Sequence, residues 1–397
     1  MVGLGEHIHD DHETLVIRNR LIQYGVTHLG LRAVALETCL SSSKTLYDYI
    51  LGRSDENESD LKRDFCYGFG DFPENLDLVH WLRTFNATQP REHKVHFYGI
   101  DLSGQYQPSA YRSLNDVLTY LDRADPALGQ EVRARLATVI PIFRSDRYPK
   151  QDAAEKDACT GKIQDLIALM RRERTPLTIA TSRDDYEWAL RQAITTAQDD
   201  AFLRSLPREF DPSVPHWWEI YGPSSDWDHN AEMREVAMAD NVLWVQERER
   251  GRSKVLYFAH DEHVETGLGT LGSPGHPPPG KYRQIRGAGS YLRSALGSNY
   301  VAIGTYFGHG EGFASPDVPA PAVHGMEDLF ASISVPQFLV NLHELPASGP
   351  LHDWFQTAHA TRASILREAT DSVSPLASYD AVLFISTVTP SLVLHKQ

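Results

Sequence analysis

Val2-Gly-Leu-Gly-Glu-His-Ile-His-Asp-Asp-His-Glu13, with Ala33-Val-Ala-Leu-Glu37 downstream, is the stretch whose reading decides the fold class. Each apolar run ends in a carboxylate. Between them, Asp10 to Tyr24 has the pattern of an amphipathic helix. Asp10 with Glu13 three residues later matches a capping box, and Leu15 and Ile22 mark an apolar stripe. Strand, helix, strand in that order predicts a parallel sheet covered by helices. Working outward, Val95-His-Phe-Tyr-Gly-Ile runs into Asp101 and Val255-Leu-Tyr-Phe-Ala into His260, while Tyr300 to Phe307 and Ala381 to Ile385 lack a polar terminator. Short runs of this composition between turn and polar residues read as buried strands. The predicted fold is α/β, with a mostly parallel central sheet flanked by helices.

The segment from Gly104 to Arg250 carries helical periodicity instead, at Leu114–Leu121, Ile163–Met170, Tyr186–Thr196 and Ala231–Gln246. It reads as a helical insertion between the third and fourth strands. Residues 1–103 are then the first part of the α/β core, 104–250 the insertion and 251–397 the second part of the core. Within 265–289, eleven of twenty-five residues are Gly or Pro. This argues against helix or strand and for a long loop, of a length that is usually functional or disordered.

The 397 residues carry 38 Lys+Arg against 53 Asp+Glu, a formal net charge of −15. Nucleic acids and anionic membranes need a cationic face, so neither is an expected partner. No apolar run approaches the ~20 residues of a membrane span, and the first residues lack the basic and apolar regions of a secretory signal. Cys39, Cys66 and Cys159, an odd and widely spaced set, suggest no disulfide framework and no zinc ribbon; Cys39 reads as a small core residue. A cytoplasmic protein is expected.

Open α/β sheets bind ligands outside the carboxyl ends of their strands. Four predicted strands end there in Glu6, Glu37, Asp101 and His260, with His9 and His263 a turn further on. Glu6 and His9, three apart at a strand-to-helix turn, can pair so that the carboxylate fixes the imidazole tautomer and raises its basicity. The bland alternative, acidic residues at a helix N-terminus, suits Asp10, Asp11 and His12 better. A catalytic metal on His7, His9, His260 and His263 is the rival reading, since such a site needs three ligands and an open position. Yet no His-Glu-x-x-His occurs. There is no Gly-x-Ser-x-Gly elbow and no phosphate-cradling glycine pattern either, which leaves activated water as the attacking group.

Gly5-Glu6-x-x-His9, Arg18 in the first helix, Ala35-Leu-Glu37, Phe97-Tyr-Gly-Ile-Asp101, Arg234 with Met238-Ala-x-Asn241-Val-x-Trp244, and Ala259-His-x-x-His-Val264 together resemble the erythromycin esterase family over essentially the whole chain. The resemblance implies hydrolysis of an ester, in named members a macrolide lactone, without metal or other cofactor. It makes His9 the general base and Glu6 its partner, puts Arg18 and Glu37 in the same pocket, and sets His260 and His263 along its far side. Arg18 would then stabilise the oxyanion. Glu37, buried at a strand end, would have a raised pKa and serve as the acid for the leaving alkoxide. The match is incomplete: His7-Ile8 and Asp10-Asp11 stand where the family has Ala-Thr and Gly-Thr, and Asp261 replaces a usual Asn.

The catalytic candidates are therefore His9, Glu6, Glu37, Arg18 and His260. The substrate-binding candidates are His263, Asp101, Asp261, His7, Trp217 and Trp218, the tryptophans and the Gly/Pro loop forming walls. Aromatic walls suit a large, mostly apolar small molecule, and acidic residues favour a cationic one. A biosynthetic enzyme or small-molecule binding protein on the same scaffold is a further reading.

Overall fold

A computed structural model describes residues 1–102, 110–211, 225–270, 284–312, 318, 320–362 and 370–392. The central sheet contains β1 (Val2–Glu6), β2 (Leu31–Cys39), β3 (His96–Asp101), β4 (Lys254–His260), β5 (Val301–Gly310), β6 (Gln337–Asn341) and β7 (Ala381–Val388). Their spatial order is β3–β2–β4–β1–β5–β7–β6. Every neighbouring pair is parallel except β7 with β6. Six strands coincide with the apolar runs of the sequence because inner strands are covered on both faces and need no polar alternation; Ala33 to Cys39 of β2 is buried throughout. The antiparallel β6 was not anticipated. As an edge strand it alternates exposed and half-buried residues, so no continuous apolar run marks it.

Helix α1 (His12–His28) joins β1 to β2, and its cap departs from expectation. Asp11 is the N-cap, its carboxylate accepting the Thr14 N–H at 2.8 Å. Glu13 does not reach back to close a box; it accepts the Thr389 N–H at 2.7 Å, beyond β7. Between β2 and β3 lie α2 (Leu40–Ile50), α3 (Glu58–Asp64) and α4 (Pro73–Ala87). Between β3 and β4 the described elements are helical: α5 (Ala110–Ala124), α6 (Pro126–Arg135), α7 (Ala153–Arg172), α8 (Arg174–Ala180), α9 (Arg183–Ser205) and α10 (Ser225–Arg248), with a 3-10 turn at Tyr148–Lys150. Leu114, Leu118, Phe143, Ile163 and Phe202 form an apolar cluster of their own there. Helix α10 returns to the sheet, where Met238, Val242 and Val245 pack with Tyr98 and Tyr257. No helix among the described residues is long and apolar enough to cross a membrane.

Two sequence expectations need correction. Leu268–Thr270 pairs antiparallel with Gln284–Arg286, so strand occurs at both ends of the Gly/Pro-rich stretch, and a helix begins at Ala288 within it; residues 271–283 lie outside the described ones. Cys39 is not a solitary core residue. It forms a disulfide with Cys66, 27 residues on, while Cys159 is free and buried. Spacing along the chain cannot reveal such a pair, because it depends on how the α3 segment folds back over the end of β2.

Candidate active site

The strands ending in ionisable residues are consecutive in space, β3–β2–β4–β1, and run parallel, so Asp101, Glu37, His260 and Glu6 gather on one rim. Glu6 lies directly opposite His260 in the β1–β4 ladder.

A pocket of about 290 Å³, its mouth included, opens at this rim. Glu6, His9, Arg18, Glu37, Thr38 and Asn75 supply its polar lining, and Leu15, Leu36, Phe65, Phe69, Phe72 and Phe258 the apolar one. Alternation along β1 points Glu6 to this side, and the tight turn before α1 brings His9 back over it. His9 Nδ1 is 2.7 Å from Glu6 Oε1, and the histidine side chain is 32% exposed. With Nδ1–H donated to the carboxylate, Nε2 keeps its lone pair. Burial lowers the His9 pKa, but the Glu37 and Glu6 carboxylates outweigh it and the net shift is upward. Burial raises the Glu6 pKa despite its bond to His9. Arg18 is buried nearly two turns into α1. Its Nε and Nη2 donate to Asn19 Oδ1 at 3.1 and 2.9 Å, and its guanidinium lies 4.8 Å from the Phe258 ring centre. Burial lowers its pKa to about 10, which leaves it cationic at neutral pH.

Beneath the pocket is an ionic network centred on Arg234 of α10. Its Nη2 donates to Asp101 Oδ2 at 2.6 Å and to Glu37 Oε1 at 2.8 Å, and its Nε reaches Asp101 Oδ1 at 3.1 Å. Tyr67 donates its hydroxyl to Asp101 Oδ2 at 2.6 Å, from a backbone held at φ 63°. A non-glycine residue in that region costs about 1–2 kcal/mol, a strain offset by closing the network. His263 Nδ1 lies 2.7 Å from Glu235 Oε1 and its Nε2 3.2 Å from Glu37 Oε1. Burial alone would lower the His263 pKa, but the carboxylates of Glu235 and Glu37 raise it to about 10 against the opposing Arg234 guanidinium, whose Nη1 lies 3.0 Å from Nε2.

This network works against the raised pKa expected of Glu37. Burial by itself would raise its pKa, but His263, His9 and Arg234 together hold it well below the usual carboxylate range. Its other oxygen accepts the His260 N–H at 2.8 Å. A carboxylate held this way favours the ionised form, which does not suit a proton donor to a leaving group. His260 is likewise committed: Nε2–H donates to the His7 carbonyl at 3.1 Å, and Nδ1 faces the Glu262 N–H at 3.4 Å. Burial, then His9, pushes its pKa well below the usual histidine value. It is a neutral imidazole packed edge-on to His9, with ring centres 5.0 Å apart.

The remaining substrate-binding candidates separate. Asp101 and His263 belong to the ionic network. His7 points to the other side of β1, where its Nδ1 is 3.4 Å from Asp261 Oδ2, and both residues are buried there. Neither lines the described pocket. Trp217 and Trp218 lie outside the described residues. The four histidines proposed as metal ligands therefore do not form one ligand group among the described residues. Among the described residues the group with donor atoms close enough to hold one ion is Glu6, His9 and Glu37, within 4.8 Å of one another.

Several residues were missed. Arg234 belongs to a quoted motif but was not assigned to the site, and Glu235 follows it. The aromatic wall comes from Phe65-Cys-Tyr-Gly-Phe-Gly-Asp-Phe72; its aromatics interleaved with glycine in a short interhelical segment were a legible signal. Phe69 lies 4.9 Å from the His9 ring centre.

Comparison with known proteins adds the following. The family model described as Erythromycin esterase matches residues 26–388, a span beginning after Glu6, His9 and Arg18. Erythromycin esterase type II of Escherichia coli is 23% identical over 322 residues, covering 78% of this chain and 70% of its own. A Bacillus cereus protein of solved structure is similar with a TM-score of 0.75 at 21% identity, over 100% of this chain and 90% of that one. An erythromycin esterase mutant, EreC in its open conformation, gives a TM-score of 0.68 at 16% identity, over 100% and 92% of the two chains. At these identities the structural likeness establishes the fold.

Proposed function

Because the chain belongs to the erythromycin esterase family, we propose that it hydrolyses a carboxylic ester or macrocyclic lactone by attack of a water molecule that His9 deprotonates. The observation that carries this reading is the Glu6–His9 pair, 2.7 Å apart, lining a pocket that also contains the buried Arg18 cation. Glu6 holds Nδ1–H, so Nε2 takes the proton of the water. The hydroxide adds to the carbonyl carbon and forms a tetrahedral intermediate whose oxyanion lies toward Arg18, a type of contact worth about 3–4 kcal/mol. When the intermediate collapses, the C–O bond to the alcohol breaks and the imidazolium returns its proton to the departing alkoxide. One histidine thus serves both steps, and Glu37 stays ionised throughout, favouring the imidazolium between them.

Inside its mouth the pocket has only about 10 Å³ of free space, room for a single water molecule. The attacking water fits there, and the ester with the rest of a macrolide-sized substrate would lie at the mouth, outside the aromatic wall. Mass spectrometry after incubation with macrolides and simpler lactones tests the reading: a gain of one water supports it, and an intact panel removes the lactone assignment. A metal-dependent variant has the clustering of Glu6, His9 and Glu37 in its favour. Activity abolished by a chelator and restored by a divalent cation would select that variant.

A further inference from the structure

Strand β1 is held on both sides for only part of its length. Its parallel ladder with β5 runs from Val2–Val301 to Leu4–Ile303 and ends there, while the ladder with β4 continues to Glu6–His260. The two strands part at Gly5, just before Glu6. A buried carbonyl or N–H left over at such a divergence must find another partner. Thr305 supplies it: its hydroxyl donates to the Gly5 carbonyl at 2.8 Å, and its own N–H donates to Asp261 Oδ1 at 3.1 Å. Both residues are buried. Asp261 is seated on the Gly5 backbone itself; a Cβ at Gly5 would stand 1.7 Å from Asp261 Oδ1 and displace its carboxylate. On the other side of Glu6, the His7 carbonyl accepts His260 Nε2–H at 3.1 Å.

We infer that Thr305 and Asp261 are positioning residues for the Glu6–His9 pair. They close the gap where β1 leaves β5: Thr305, itself held by Asp261, fixes the Gly5–Glu6 peptide unit through its carbonyl, while His260 holds the His7 carbonyl one peptide further on. Neither touches the pocket; they act through the backbone that aims the Glu6 carboxylate at His9 Nδ1. A small misorientation of a reacting pair lowers the rate without weakening substrate binding, and a 1 Å displacement costs on the order of 100-fold. The inference rests on the proposed roles of Glu6 and His9.

The test compares Thr305→Val, which keeps the shape and removes the donor, with Thr305→Ser, which restores the hydroxyl. The Val variant is expected to lose about 10- to 100-fold in kcat with KM within about two-fold, and the Ser variant to recover most of it. A second readout needs no substrate: the downfield proton resonance of His9 Nδ1–H at fixed pH, assigned by its absence in His9→Gln. It should weaken or move upfield in Thr305→Val and return in Thr305→Ser. A Val variant with wild-type kcat and an unmoved resonance overturns the inference, even if its Tm has fallen. If the wild type cleaves no ester, the proposed reaction fails, and the resonance alone decides the positioning role. Should Thr305→Val not fold, Asp261→Asn, which keeps an acceptor for the Thr305 N–H, against Asp261→Ala, which does not, makes the same comparison.

Discussion

Arg234 grips Asp101 with two nitrogens, Nε at 3.1 Å from Oδ1 and Nη2 at 2.6 Å from Oδ2, at the end of a strand from which water is excluded. Removing one member of such a pair leaves the other's charge buried and unmatched, which costs about 3–5 kcal/mol. Arg234→Met is expected to destabilise the fold by that amount in urea titrations. Arg234→Lys should recover only part of it, since an ammonium cannot span Asp101 and Glu37 with the same fork.

His9 must be neutral to accept a proton, and its pKa is raised by Glu37 and Glu6 against the effect of burial. The acid limb of kcat/KM is therefore expected above the ordinary histidine value of about 6.5, and Glu37→Gln should move it down. His9→Ala should lower kcat by about 10²- to 10⁴-fold with an unchanged circular dichroism spectrum, and Glu6→Gln by less. A limb below pH 6 would exclude His9 as the base.

His263 has a folded-state pKa of about 10, above the roughly 6.5 of an unfolded chain. The sign follows from linkage: between those values the native state binds the extra proton. The stabilisation is fully present below about pH 6.5 and is lost as pH rises toward 10. Urea midpoints should fall from pH 7 to pH 9.5, and His263→Gln should be less stable at pH 7 with a much flatter alkaline slope. An equal alkaline slope in both proteins would show that the ionised His263 contributes nothing.

The Cys39–Cys66 disulfide ties the end of β2, two residues past Glu37, to the segment carrying Tyr67 and Phe69. Closing a loop of 27 residues is worth about 3–4 kcal/mol in chain entropy. The double variant Cys39→Ser with Cys66→Ser should lose about that much in chemical denaturation. A raised KM is also expected, because Phe65, Phe69 and Phe72 line the pocket. Equal stability with and without a dithiol reductant would contradict the contribution assigned to this bond.

The sequence by itself determined the class of fold and the rim on which the candidate site lies. Inner parallel strands are buried on both faces, so their apolar runs, and the Glu6, Glu37, Asp101 and His260 that end them, could be read directly. Glu6 and His9 were legible for a related reason: three residues apart across a tight turn, their meeting depends on local geometry alone. Only the tertiary structure decided what each rim group is bonded to. Glu37 was read as a protonated acid because burial was visible in the sequence, whereas Arg234, nearly two hundred residues away, and His263 were not visible as its partners. His260 could be placed on the rim from the sequence, but not the His7 carbonyl that accepts its Nε2–H. The partnership of Cys39 with Cys66 and of Thr305 with Gly5 likewise depends on which segments the fold brings together. Charge state and proton direction follow from neighbours at about 3 Å, and that is a property of packing, which linear order does not encode in any local pattern.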